Sequence, residues 1–319
     1  MSAGSSEEAY RAYRERYLSA PRLSLKAPVD VSLELSSFCN MACSYCYHAD
    51  KKALPFKQQF MLPETVKSIL RQAADAGVNS VKFNWRGEST MNPFFAAATA
   101  TARGLASGST FIDRLTNSNF KFDTARDDIF EGLCNQTKVK VSYDSFRPEV
   151  FERQRRLGDH ALTMANIDRF YNWPGRKTVL VIQAVRTALN ADEDIEGEVR
   201  RRWPDALVSI RDMVEGRVDR DLTGIRHKAR DYSERQSCIQ AHARLIFDWD
   251  GAAVPCCPDI KQELRLGNIR EKTLIEIWES REATRLRADL LSGKAFENSP
   301  CKNCSSFETF KGYQASFDS

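Results

Sequence analysis

At 319 residues with a net charge of +4, the chain is too long for one ordinary small core and only weakly basic. Its basic runs, Arg153 to Arg156 and Arg200 to Arg202, read as solvated helix faces, so nothing points to DNA or RNA. No stretch reaches the roughly 18 consecutive apolar residues of a membrane span, and Met1 to Glu8 lacks the basic and apolar regions of a signal peptide. A cytosolic, reducing setting is therefore expected, in which nine cysteines suit metal binding or catalysis better than disulfides.

Residues 7–18 read as a helix within an N-terminal extension over 1–28. Val29 to Leu35 alternates apolar and polar residues, the period of a strand. Pro63 and Glu64 open a helix that Ala76-Gly77 ends. Strands are then expected at 80–85, 111–117, 138–143, 178–186 and 207–214. Helices are expected at 93–105, 124–133, 148–156, 161–171 and 192–203. Regular alternation of this kind predicts a parallel sheet with right-handed crossovers. The fold class expected is α/β, a partial (β/α)6 TIM-like barrel over 29–216 whose ligands collect at the C-terminal strand ends. Residues 217–236 are polar and read as a linker. A small domain follows over 237–319, with a hairpin at 245–254 turning on Asp250-Gly251 and a helix at 273–291.

Cys39, Cys43 and Cys46 lie directly after the first strand at C-x3-C-x2-C spacing. Three thiolates can hold three irons of a [4Fe-4S] cube and leave the fourth open, whereas a closed electron-transfer site wants four cysteines. A zinc knuckle or a cluster of buried thiols is the plainer alternative, but zinc would want a fourth ligand close by, and the next cysteine is Cys134. Cys134 itself reads as a core residue of an apolar helix.

The cysteine loop resembles that of the radical S-adenosylmethionine (SAM) enzymes. In that family the open iron is chelated by SAM, and one electron from the cluster cleaves it to a 5′-deoxyadenosyl radical. Trp85 to Thr90, after the second strand, is similar to the family's Gly-Gly-Glu-Pro motif, which contacts SAM. Arg86 stands at the first glycine and Ser89 at the proline, so Gly87 and Glu88 are the residues that the resemblance carries over. It also implies a ribose contact from Asn117, a contact from Ser142 in the Val141 to Ser145 segment, and Tyr45 beside the adenine. Each of these has a plain reading as a turn or packing residue. An external one-electron reductant of flavodoxin or ferredoxin type is implied as well.

Cys238, Cys256, Cys301 and Cys304 form a second set, the last two as C-x2-C. On chemistry alone they suit a fully ligated [4Fe-4S] cluster or a tetrahedral zinc equally. The region resembles the SPASM or Twitch extension of radical SAM enzymes, including Pro255 to Asp259, Leu266 to Ile269 and Ile275 to Trp278. With no cysteine after Cys304, the shorter Twitch form with one auxiliary [4Fe-4S] cluster is expected. The spacing is similar to that of the 2-deoxy-scyllo-inosamine dehydrogenases of butirosin biosynthesis and related carbohydrate-modifying enzymes.

The resemblance thus implies two [4Fe-4S] clusters and SAM, acting on a small carbohydrate-like substrate in aminoglycoside or other natural-product biosynthesis. The leading expectation is oxidation of a sugar or aminocyclitol alcohol to a ketone. A radical epimerase would use Cys257, the neighbour of Cys256, as hydrogen-atom donor. A peptide maturase would want a leader-binding module, for which the first 28 residues are short. A non-enzymatic iron–sulfur or zinc module would not need Gly87-Glu88. Arg211, Asp212 and Arg217, near the end of the sixth strand, are candidate substrate anchors, with Arg211 placed among the catalytic residues.

Overall fold

A computed structural model describes residues 3–52, 54–212, 237–297, 300–302 and 304. The expected linker at 217–236, Val214 and Arg217 lie outside the described residues.

Helix α1 (Ala3–Leu18) carries Tyr10, Tyr13 and Tyr17 at helical spacing, so the three rings share one face. This face closes the N-terminal end of a curved sheet: the Tyr13 hydroxyl donates to Asp30 (3.5 Å), and Arg16 donates to Asn79 (3.1 Å). Tyr13 and Tyr17 pack there with Ala20, Val29, Ile239 and Ala243 in a small core of their own.

The expected alternation is present. Strand β1 (Asp30–Leu33) is followed by α2 (Pro63–Asp75), β2 (Ser80–Phe83), α3 (Phe95–Leu105), β3 (Asp113–Ser118), α4 (Asp127–Cys134) and β4 (Lys138–Ser142). Helices α5 (Pro148–Gln154) and α6 (His160–Tyr171) precede β5 (Val179–Arg186), α7 (Ile195–Arg202) and β6 (Leu207–Asp212). Helix α2 starts on proline with Glu64 in its first turn, and Gly77, at φ +67°, takes the left-handed position that ends it. Strands β1 to β6 are parallel and neighbours in chain order, as right-handed β/α units require. Val31, Leu33, Val81, Phe83, Val139, Val141, Leu180 and Ile182 turn outward beneath the helices and form the main core.

The hairpin expected at 245–254 is built from β7 (Arg244–Phe247) and β8 (Ala252–Val254), which follow the short helix α8 (Ile239–Ala243). It is not a separate layer. β7 pairs in parallel with β1, and β8 and β9 (Gly267–Asn268) continue the same sheet, giving the order β6-β5-β4-β3-β2-β1-β7-β8-β9. Leu245 and Phe247 extend the buried row of Val31 and Leu33, which is the reason the strand docks there. The sheet stays open, with β6 at one end and β9 at the other.

The single helix expected at 273–291 is two, α9 (Leu274–Trp278) and α10 (Arg281–Leu291). Thr273 and Glu276 form a capping box on the first, and Ser280 caps the second by accepting the Ala283 N–H at 3.2 Å. A serine that satisfies an orphan N–H favours a new start over continuation. Among the described residues no helix is long and apolar enough to cross a membrane.

Candidate active site

The cysteine loop leaves β1 and is held from three sides. Gly87, after β2, lies so close beneath it that an added Cβ would sit 2.3 Å from the Ser36 carbonyl and 2.5 Å from that of Phe38. Only glycine fits this approach. The Glu88 N–H donates to the Phe38 carbonyl at 2.7 Å. From the β3 end, the Asn119 side chain donates to Asn40 (2.6 Å) and lies 4.0 Å from the Cys39 sulfur. From the turn after α5, the Ala42 and Ser44 N–H groups donate to the carbonyls of Arg156 (2.7 Å) and Gln154 (2.8 Å). The Arg156 guanidinium returns hydrogen bonds to the carbonyls of Ala42 and Ala49.

Arg155 and Arg156 are therefore not the solvated helix face expected of the run from Arg153. Arg155 is buried, ion-paired with Asp144 at 2.8 Å and 3.7 Å from the Cys43 sulfur. Asp144 also accepts from the Tyr45 hydroxyl and from the Val185 N–H. These contacts bind the cysteine loop to the ends of β4 and β5. Their residues left no local trace in the sequence beyond a basic run, because the bonds that reach the cysteine loop span about 100 positions or more in the chain.

The donor set fits a metal cluster. Burial pushes the Cys39 thiol up to about 12, with Glu88, Cys43 and Cys46 adding negative charge, and pushes Cys43 up to about 11 against the pull of Arg155. Three bare thiolates would be costly here, whereas metal coordination deprotonates a thiol outright. Hydrogen-bond donors beside the sulfurs, as Arg155 and Asn119 are, tune the potential of such a cluster. Among the described residues no three potential ligands converge on one point as around a single ion. A cube binds each thiolate through a different iron and does not ask for that.

Of the remaining expected residues, Glu88 is buried and engaged: Thr90 donates from its N–H and hydroxyl, and Asn119 from its N–H at 2.8 Å. It braces the ends of β2 and β3, and burial holds its carboxyl above the usual range. The Asn117 side-chain oxygen, at the end of β3, is buried without a protein partner. An orphaned acceptor of this kind is what a ligand hydroxyl would satisfy. Ser142 stands across from Gln183 in the register of β4 and β5. Arg211 is opposite Val185 on β6 and exposed. Asp212 is the last residue of β6, opposite Arg186.

The second cysteine set adjoins the first site through two residues that the sequence reading did not assign. The Trp85 indole N–H donates to the Cys257 carbonyl at 3.0 Å. Arg86 is buried and donates to both oxygens of Glu34 (2.7 and 2.5 Å) and to the Ile260 carbonyl (3.2 Å), with Asp248 at 3.8 Å. Its guanidinium lies over Trp85 and Phe56, at 4.1 and 4.5 Å. The departure from the expected glycine is thus a clamp between the turn after β2 and the 255–262 loop.

Cys256 is half-buried close to Cys238 and Cys257, and its thiol is pushed well up by desolvation and by those neighbours. The Cys257 N–H and thiol both face the Gln240 side-chain oxygen, at 3.3 and 3.5 Å. Cys301 and Cys304 end a turn closed by the Cys304 N–H on the Cys301 carbonyl at 3.2 Å. Cys134 is partly buried against the main core, as expected.

Residues 238–305 match the SPASM family, an iron-sulfur cluster-binding domain. The chain is 27% identical over 313 residues to a PqqA peptide cyclase of Xanthomonas euvesicatoria pv. vesicatoria (strain 85-10), covering 87% of this chain and 80% of that protein. Its fold is similar to that of BtrN crystallised with AdoMet and 2-DOIA, at a TM-score of 0.57 and 17% identity, over 86% of this chain and 92% of BtrN. It is also similar in fold to Streptococcus suis SuiB bound to the precursor peptide SuiA, at a TM-score of 0.65 and 16% identity, over 92% of this chain and 73% of SuiB.

Proposed function

We propose a reaction from the premise that this chain is a radical SAM enzyme with a SPASM/Twitch-type C-terminal domain, its cofactors SAM and two [4Fe-4S] clusters. Cys39, Cys43 and Cys46 would hold the cluster that binds SAM, and Cys238, Cys256, Cys301 and Cys304 the second; when bound, these groups would supply a radical able to take an unactivated C–H hydrogen, and a one-electron sink. The reaction is oxidation of a sugar-like alcohol to a ketone: one hydrogen atom leaves carbon, one proton leaves oxygen and one electron leaves the substrate.

The observation that carries this reading is the joint made by Trp85 and Arg86. It fixes the Cys256-Cys257 loop to the turn that bears Gly87 and Glu88, so both cysteine sites serve one barrel mouth. Such sheets bind ligands at this end. Around the mouth, Tyr45, Gly87, Glu88, Asn117 and Ser142 form the SAM pocket, and Asn117 brings an acceptor that the protein leaves unsatisfied. The Cys257 thiol is directed at Gln240, which favours oxidation over an epimerisation that would draw its hydrogen.

A second reading, modification of a peptide, is favoured by the similarity to PqqA peptide cyclase and to SuiB with its precursor peptide. The test is anaerobic reconstitution followed by turnover of a panel of polyols, acidic sugars, aminocyclitols and short peptides in D2O. A ketone without solvent deuterium supports oxidation, and Cys257→Ala then keeps at least half of the rate. Deuterium at a retained C–H, lost in Cys257→Ala, would replace oxidation by epimerisation. Turnover confined to peptides would establish the second reading.

A further inference from the structure

The strand register assigns side chains to the lumen of the barrel. Residues paired across parallel strands share a face. Asp30 and Ser32 of β1 therefore share the inner face with Ser80 and Lys82 of β2 and with Arg244 of β7, and Glu34 follows just past the end of β1. The same face continues through Leu115 and Asn117 on β3, Lys138, Lys140 and Ser142 on β4, and Val181 and Gln183 on β5. It ends with Ser209 and Arg211 on β6.

Three lumen cations on β4 and β6 have no ion-pair partner among the described residues: Lys138, Lys140 and Arg211. Lys138, at the closed end, is capped by Tyr10, whose hydroxyl accepts at 3.3 Å and whose ring lies 5.2 Å away. Lys140 has no such cap. It stands between that closed end and Ser142, beside Asn117 with its unpartnered oxygen. The groups acting on it are Lys82 from β2, Asp113 from β3, Lys138 from its own strand and Arg211 from β6, while β5 places Val181 beside it. Asp113, the acid among them, is within reach of Ser80 and Thr137. Burial first, then Arg211, Lys138 and Lys82, lower the Lys140 ammonium to about 7. That is the trace of positive charge which the protein itself leaves uncompensated.

We propose that Lys140 and Arg211 are the anion-recognition element of the substrate pocket, so that the alcohol oxidised belongs to a sugar bearing a carboxylate or a phosphate. This rests on the reading of the barrel mouth as a polyol site and narrows its substrate class. An ammonium-bearing aminocyclitol would meet repulsion at this wall, whereas an anion would restore the charge on Lys140 and gain a bidentate partner in Arg211.

The test is calorimetry on reconstituted, SAM-loaded enzyme under anaerobic conditions. The probes are glucuronate and glucose 6-phosphate, with myo-inositol as the neutral and 2-deoxystreptamine as the cationic comparison. At least one anionic probe is expected to bind about tenfold or more tighter than inositol, the scale of one charge-assisted contact. The two anionic arms decide between carboxylate and phosphate. Binding should take up protons and weaken as pH rises from 6.5 to 8.5, because the favoured state of Lys140 is its charged one and its unliganded midpoint lies at about 7. Lys140→Gln should remove most of the preference, Lys140→Arg should restore it and lose the pH dependence, and both should bind SAM within about twofold of wild type. Equal binding of inositol or the diamine, or a Lys140→Gln that weakens SAM as much as the probes, overturns the proposal. Anion preference without ketone would sink the oxidation and leave the anion site standing. Ketone formation from the diamine without anion preference would do the reverse.

Discussion

Along β1, β2 and β7 every lumen cation meets a carboxylate, Lys82 and Arg244 sharing Asp30, and just past the ends of β1 and β2 Arg86 grips Glu34. Along β4 and β6, Lys140 and Arg211 meet none among the described residues. The first wall carries the cysteine loop and the joint to the second cysteine set, where geometry must be fixed before any ligand arrives. Buried charges there are paired because an unpaired one would cost several kcal/mol. On the second wall the protein tolerates a depressed lysine, which a ligand can re-charge. Rigidity on one side and uncompensated charge on the other suit a site that holds its cofactors tightly and selects its substrate by charge.

The largest break in this comparison is expected from Gly87→Ala. The new methyl would meet two carbonyls of the cysteine loop at 2.3 and 2.5 Å, and neither is a flexible side-chain end that can turn away. The loop must move, and with it Cys39. We expect reconstituted iron to fall from about eight to about four per chain, with only the second cluster retained. SAM cleavage should fall by about 100-fold or more, the scale of a small misplacement at a reacting centre. Iron content near eight with normal cleavage would show that the approach of Gly87 is not needed.

Arg86→Ala attacks the same wall by charge instead of sterics. It strands Glu34, which is 0% exposed, and loosens Ile260. A loss of about 3–5 kcal/mol is expected, read by chemical denaturation. Burial already holds the Glu34 carboxyl above its usual range, and Arg86 is the chief group pulling it down. Without Arg86 its folded value rises further. A carboxyl raised on folding contributes most when protonated, so the deficit should be largest near neutral pH and shrink as pH falls toward the unfolded value. Adding Glu34→Gln should recover part of the loss at neutral pH. A pH-independent deficit, or no recovery, would remove the ion pair as the cause.

The two walls also differ in how far the sequence reveals them. The cysteine spacing, the β/α alternation and Gly87-Glu88 are local patterns, and the structure places all of them on adjoining strand ends. Arg155, Arg156 and Asn119 could not be read this way, since their partners on the cysteine loop lie 79 to 114 positions away in the chain. The docking of β7 on β1 is equally silent, because parallel pairing needs no turn between its strands. The split between α9 and α10 was legible: Ser280 precedes a good helical run, and its capping role needed more weight than the continuous amphipathic pattern around it. The uncompensated lysine emerges only when register assigns Lys140 to the lumen.

The smallest effect sharpens the contrast within one strand. Lys138 and Lys140 share a face of β4, two residues apart, yet only Lys138 is capped by Tyr10. Tyr10→Phe removes the hydroxyl acceptor and keeps the ring over the ammonium. The bond is long at 3.3 Å, so the stability loss should be about 1 kcal/mol or less. If the protein satisfies Lys138 and a ligand satisfies Lys140, the affinity for an anionic sugar should stay within about twofold of wild type in Tyr10→Phe, while Lys140→Gln lowers it about tenfold. Equal losses in the two variants would mean that the closed end and the open end of the strand act as one charge, and that the division between a structural and a ligand-binding lysine does not hold.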